Sequence, residues 1–301
     1  MRHLIRRSRH SRGCLALLVT VALTACGGVA AEPDPAAAPT TGTSTSQPPS
    51  TTAVTATTPS VSAYPTPEPG VVARWVPVVV ATRPHDDEAF TQGLVVLGDT
   101  VYESTGLYGE STLRIVDRVT GDVERSIALA ADVFGEGIEL VGDRLIQLTW
   151  REETAIVWDA ATFEEVSRFG YDGEGWGLCH DGERLVMSNG TPTLTFRDAE
   201  TFAVTGEVTV ERNGVPVDNL NELECAGGLV FANVWTTTDI VVVDPATGEV
   251  TAVIDAAALD TVDDGTANAV LNGIAYDPVG AVFLVTGKLW PTLYEVRFVA
   301  G

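Results

Sequence analysis

The chain has 301 residues, with 41 acidic and 18 basic side chains and a formal charge of −23. So negative a molecule is a poor partner for nucleic acid or an anionic membrane surface, and its field favours a cationic ligand such as a peptide amino terminus. The cysteines and histidines have no zinc-site spacing, so no catalytic metal and no cofactor is expected.

The first segment, "MRHLIRRSRHSRG", is basic and acid-free, and an apolar run from Cys14 to Leu23 follows it. The run is short against the roughly 20 residues of a membrane-spanning helix, so residues 1–25 read as an export signal that is removed. It ends in "LTACG", which resembles a bacterial lipobox and makes Cys26 the lipidated first residue of the mature chain. Losing five arginines and no acid takes the charge from −23 to −28. Residues 26–71 are mostly Ala, Thr, Ser and Pro, too poor in large apolar groups to offset their ordering entropy, and read as a flexible tether. The expected product is an exported, lipid-anchored monomer on the extracytoplasmic side of the membrane, with one folded domain at 72–301.

Beyond residue 70 the hydrophobic period is near two, β-branched residues are abundant, and turn signals such as "LGD", "TGD", "HDGE" and "DPATGE" recur. The domain is all-β. "TQGLVVLGDTVYEST", "GEGIELVGDRLIQLT", "GWGLCHDGERLVMSN", "NELECAGGLVFANV" and "NGIAYDPVGAVFLVT" each read strand, turn, strand, and the aligned positions Gly93, Gly137, Gly177, Glu222 and Gly273 lie 40 to 51 residues apart. Most units add a second hairpin, and four antiparallel strands per repeat of that length is the pattern of a β-propeller blade. The last unit lacks a fourth strand and "RWVPVVVATR" precedes the first as a spare, which predicts a five-bladed propeller closed by its N-terminal strand.

Cys179 and Cys225 are the only cysteines of the domain; in an exported protein a disulfide and a pair of buried thiols are both open. His85 and His180 stand alone and read as surface or turn residues.

First strands line the channel of a propeller, so one position per repeat faces a common volume. Directly before the aligned position stand Gln92, Glu136, Trp176, Asn221 and Asn272, and the glycines after them permit bulges that re-aim a neighbour. Second strands end in Trp150, Trp235 and Lys288, and Phe90 and Phe134 flank two of the first strands. Lys288 is the only lysine among the 18 basic residues.

The motifs "FTQGL", "ESTGLYG", "FGEGI", "LTW", "EGWGL", "LNELE", "NVW", "VLNGIAY" and "TGKLWP", in order from Phe90 to Phe298, resemble those of the plant and bacterial type of glutaminyl-peptide cyclotransferase, a five-bladed propeller. One departure is "SNG" at Ser188 to Gly190, where an aspartate is common in that family. The resemblance implies an acyltransferase of the aminoacyl class that turns the amino-terminal glutamine of peptides or proteins into pyroglutamate and ammonia.

On that reading Glu136 is general base and acid: it is the only acid of the five ring residues and matches the family's catalytic glutamate. Glu174 and Glu222 do not share its aim and read as structural. Asn221 and Lys288 are candidates to stabilise the tetrahedral oxyanion, Gln92 and Asn219 to hold the substrate amide and backbone, and Asn272 to complete the ring. Phe90, Phe134, Trp150, Trp176 and Trp235 would wall the pocket, and a compact ammonium fits a tight channel where an arginine fork does not. A binding propeller that captures a peptide terminus without chemistry is the alternative; a metal-dependent lactonase or quinone-dependent dehydrogenase has no ligand cluster in the ring to support it.

Overall fold

The computed structural model describes residues 62–259 and 268–301. The export signal, Cys26 and the tether up to residue 61 lie outside the described residues. Among those described there is no α-helix, only a 3₁₀ turn at Ala257–Leu259.

β1 (Ala73–Pro84) comes first. β2 (Thr91–Leu97), β3 (Thr100–Thr105), β4 (Thr112–Asp117) and β5 (Val123–Ala128) form an antiparallel sheet. A second follows from β6 (Gly135–Val141), β7 (Arg144–Thr149), β8 (Thr154–Asp159) and β9 (Glu165–Gly170), and a third from β10 (Leu178–His180), β11 (Leu185–Met187), β12 (Thr193–Arg197) and β13 (Val204–Thr209). A short hairpin, β14 (Glu211–Arg212) and β15 (Val215–Pro216), leads to β16 (Leu220–Ala226), β17 (Leu229–Val234), β18 (Asp239–Val243) and β19 (Val250–Asp255). The chain ends with β20 (Leu271–Asp277), β21 (Val282–Gly287) and β22 (Thr292–Ala300). The last seven strands and β1 form one eight-stranded sheet, ordered β16-β17-β18-β19-β1-β22-β21-β20.

β1 joins the two ends of the body. It pairs antiparallel with β22 from Trp75 to Pro84, and its first residues, Ala73 to Trp75, pair parallel with β19. The spare strand read from the sequence is therefore shared between two groups of strands, which is why they merge into one sheet.

In each of the three four-stranded sheets the last strand is the most exposed. The sequence "RLIQLT" of β7 is almost wholly buried, whereas "VERSIA" of β5 and "EVSRFG" of β9 are almost wholly exposed. Each core cluster lies between two neighbouring groups of strands. Tyr102 and Leu113 meet Ile138 and Leu145; Ile146 and Leu148 meet Leu178 and Met187; Val186 and Phe196 meet Leu223 and Val230. Phe231 and Ile240 meet Ile274 and Phe283, and Leu94 and Val101 meet Ala275 and Leu284, so the last group packs on the first. Burying a large apolar side chain contributes about 1.5–3 kcal/mol, so these contacts dominate the stability of the body.

The turns repeat a chemical device. Asp117, Asp159 and Asp198 each stand at the end of a third strand and accept backbone N–H groups two and three residues on, which fixes the reversal.

The first strands approach one another backbone to backbone. A Cβ on Gly137 would lie 2.7 Å from the Cα of Gly177, and one on Gly177 would lie 2.1 Å from the carbonyl oxygen of Asn221. Only glycine permits this approach.

Two sequence readings change here, and one left open, the state of Cys179 and Cys225, closes. Packing on the body begins by Ala63, within the stretch assigned to the tether: Phe298 N–H donates to the Ala63 carbonyl at 2.8 Å, and Tyr64 packs on Trp75, Phe231 and Phe283. A single docked tyrosine does not alter a composition average. Cys179 and Cys225 form a disulfide between β10 and β16. His85, read as a surface or turn residue, has a side chain only 5% exposed, between the Trp290 carbonyl oxygen at 2.6 Å and Glu103 at 3.0 Å.

Candidate active site

The ring residues are displayed by bulges. Strand register slips between Thr91 and Gly93, between Gly135 and Ile138, between Leu220 and Leu223, and between Leu271 and Ile274. Gln92, Glu136, Asn221 and Asn272 lie within these four slips. A bulged residue leaves the ladder and its side chain is re-aimed, so one local irregularity, repeated, produces the site.

The resulting pocket, of ≈ 200 Å³, is lined by Phe90, Gln92, Leu107, Phe134, Glu136, Trp150, Trp176, Asn221, Trp235 and Lys288. It is small against the roughly 300–1,000 Å³ of drug-sized sites.

Two charges and an amide form its floor. Gln92 Nε2 donates to Glu136 Oε1 at 3.1 Å, and Gln92 Oε1 accepts from Lys288 Nζ. Glu136 is 4% exposed and Lys288 3%. Burial raises the Glu136 carboxyl well above the usual range, and Glu174 and Glu152 add to that, while Lys288 opposes it. Burial also brings the Lys288 ammonium down to about 8, against the pull of Glu136 and Glu222. Desolvation thus prevails over mutual attraction in both groups, which brings the proton affinities of acid and amine closer together. Lys288 Nζ lies 4.6 Å from the centroid of Phe90. Its loop is pinned at two successive residues, by Lys288 N–H to the Val270 carbonyl at 2.8 Å and Leu289 N–H to the Ala89 carbonyl at 2.7 Å.

The walls are aromatic. Phe90 meets Phe134 at 6.3 Å, Phe134 meets Trp150 at 5.4 Å, and Trp176 meets Trp235 edge-on at 5.5 Å. Trp235, 39% exposed, stands at the rim. Among the described residues the buried Oδ1 of Asn221 has no hydrogen-bond partner, so it remains available to a ligand.

Two expected residues lie outside this lining. Asn272 is fully buried behind Gln92, its Nδ2 donating to the Thr91 carbonyl at 3.0 Å and to Gln92 Oε1 at 3.3 Å, which makes it a support of the amide and not a wall. Asn219 sits beside the rim in the left-handed region, φ 64, and its carbonyl accepts the Trp235 N–H at 2.9 Å. Leu107 is the lining residue missed in the sequence. It belongs to the loop after β3, with φ 89, and its carbonyl accepts from Ser111 N and Ser111 Oγ, both at 2.8 Å.

The rival carboxylates have other surroundings. Glu222, fully buried, reaches across to accept Leu94 N–H at 2.9 Å. Glu174 stands at the rim and accepts from both indoles, Trp150 at 2.9 Å and Trp176 at 3.0 Å. At the "SNG" departure, Ser188 Oγ accepts Gly177 N–H at 2.8 Å and donates to the Asn221 carbonyl at 2.6 Å, while Gly190 leaves room for Trp176, whose ring would meet a Cβ at 2.7 Å.

An acid and an amine with displaced proton affinities, bridged by an amide inside an aromatic pocket, form a candidate enzyme site on an all-β frame. The glutamine cyclotransferase family model matches residues 51–298. A glutaminyl-peptide cyclotransferase of Arabidopsis thaliana is 43% identical over 227 residues, covering 73% of this chain and 70% of that protein. The crystal structure of Myxococcus xanthus glutaminyl cyclase superimposes with a TM-score of 0.71 at 40% identity, covering 77% of this chain and all of that one. The chain belongs to the glutamine cyclotransferase family.

Proposed function

We propose that this protein cyclises the amino-terminal glutamine of peptides and proteins to pyroglutamate, with Glu136 as the acid–base group. The observation that carries the proposal is the position of Glu136: buried, bonded to Gln92, and facing the one pocket in which Lys288 and the unpartnered Oδ1 of Asn221 also end.

In this reading the aromatic walls fold the glutamine side chain back on its own amino group, so that the attack is intramolecular and little orientational entropy remains to be lost. The α-amine nitrogen bonds to the side-chain amide carbon, and Glu136 takes the proton that the amine releases. The carbonyl π-electrons move to oxygen, where Lys288 and Asn221 donate to the developing charge. Glu136 then returns the proton to the amide nitrogen, the C–N bond breaks, and ammonia leaves as the carbonyl re-forms. A carboxyl of raised pKa suits both transfers, because it is a stronger base towards the amine and can still return the proton to the leaving nitrogen. A side chain carries the proton here, so turnover should survive a metal chelator.

The frame is read as a five-bladed propeller closed by β1. Five inner strands, β2, β6, β10, β16 and β20, packed in cyclic succession support it. The protein is read as acting as a monomer. The segment "LTACG" supports an exported protein anchored through Cys26, with the pocket held on the extracytoplasmic side.

Incubating the purified full chain with a glutamine-initiated peptide and chelator tests the activity: ammonia and the matching mass loss should appear together, and a folded protein that yields neither contradicts the proposal. Cys26→Ala should move the protein from the membrane fraction to the soluble one.

A further inference from the structure

The aromatic wall is made of two stretches of rings. One runs Phe90, Phe134, Trp150 and the other Trp176, Trp235, each ring touching the next. Trp150 follows β7 and Trp176 precedes β10, so the stretches belong to different sheets. A single side chain links them. Glu174 Oε2 accepts both indole N–H groups, from Trp150 at 2.9 Å and from Trp176 at 3.0 Å. Glu174 Oε1 accepts Arg151 Nε at 2.8 Å, and the Arg151 guanidinium lies 3.7 Å from the centroid of the Trp150 ring.

We propose that Glu174 is a positioning residue: one carboxylate oxygen fixes the rotation of both tryptophans that wall the pocket, and the other holds Arg151 flat on the outer face of Trp150. The substrate wording of this inference rests on the cyclase reading above. An indole has one donor and no acceptor, so its single N–H bond decides which way the ring turns. Charge-assisted bonds are about twice as strong as neutral ones, and one oxygen receiving two of them couples two rings that do not touch. The backbone on both sides is held as well: Gly175 N–H donates to the Trp150 carbonyl at 3.0 Å and Gly173 N–H to Glu153 Oε1 at 3.3 Å. Its hydrogen bonds from Arg151 and the two indoles keep this carboxyl below its ordinary range despite partial burial, the opposite direction from Glu136. The side chain is 34% exposed, so replacing it should leave the core intact.

The function follows from geometry. An intramolecular attack needs the glutamine side chain held bent, and two loosened walls would release it into unproductive conformers. Glu174 therefore acts on the reaction through the indoles.

Kinetics of the full chain with a glutamine-initiated dipeptide test this in a double-mutant cycle. Glu174→Ala should lower kcat/KM roughly tenfold or more, the scale of a charged hydrogen bond, and Glu174→Gln, which keeps an acceptor oxygen for the indoles, should recover most of it. In a Trp150→Phe, Trp176→Phe background, where no N–H remains to be held, Glu174→Ala should cost under about twofold. Near-ultraviolet circular dichroism of the tryptophans should change in Glu174→Ala and stay close to wild type in Glu174→Gln. Wild-type kinetics in folded Glu174→Ala, or an equal loss with and without the indoles, overturns the proposal. If the wild type itself turns over no glutamine peptide, the cyclase reading fails, and the clamp then stands or falls on the tryptophan spectra alone.

Discussion

Gln92 donates to Glu136 at 3.1 Å while its other amide atom, Oε1, is engaged by Lys288 and Asn272. The amide thus holds acid and amine apart, and no ion pair forms between them among the described residues. Gln92→Glu keeps an acceptor for Lys288 but sets a second carboxyl against Glu136. Like charge disfavours ionisation, so the Glu136 carboxyl should rise further and the acidic limb of kcat/KM should move to higher pH. A pH–rate profile of the variant checks this.

Lys288 has its ammonium brought down to about 8 by burial. As pH climbs through that value the cation is lost, so the wild-type rate should fall on the alkaline side. Lys288→Met should lose roughly 10²–10³ in kcat if the ammonium serves the oxyanion. Lys288→Arg should remove the alkaline limb, because a guanidinium stays charged, yet remain slow because the planar fork does not fit between Phe90 and Gln92. Profiles of kcat against pH for the two variants, each with a folded circular dichroism spectrum, decide the matter.

His85 ties the strand before Phe90 to the loop that carries Lys288. Both ring nitrogens face oxygens, the Trp290 carbonyl and Glu103, an arrangement that satisfies the doubly protonated ring. Burial pulls the ring pKa down, but Glu103 outweighs it and the value is raised. Burial likewise disfavours the Glu103 charge, and His85, Arg114 and Thr91 overcome it and hold Glu103 at about 2. The His85 contribution is therefore complete below the ordinary value of about 6.5 and lost as pH rises through the raised one. The Glu103 contribution is present above the ordinary carboxyl range and lost only as pH falls towards about 2. His85→Ala should cost about 1–3 kcal/mol at pH 6 and less at pH 9, read from denaturant melts at the two pH values.

Much of this was legible in the sequence because the hydrophobic period stays near two and an aligned glycine marks four of the five first strands. Gln92, Glu136, Asn221 and Asn272 could be named as a ring because a bulge keeps its place in four of the five repeats. The same alignment placed Asn272 in the pocket, but the Thr91 carbonyl and Gln92 take up its amide, and no spacing foretells a hydrogen bond. Leu107 escaped because it lies in a loop without register, in a left-handed conformation unusual for leucine. Glu174 read as structural because a strand alignment gives no sign that two indoles from neighbouring sheets meet at one oxygen.

The central claim is that Glu136 carries both proton transfers. Single-turnover ammonia release from a glutamine-initiated peptide, wild type against Glu136→Gln, tests it most directly, since the amide keeps the shape of the site and removes the base. The account predicts a fall in kcat of about 10²–10⁴ with peptide binding retained; a Glu136→Gln protein that releases ammonia at the wild-type rate contradicts it.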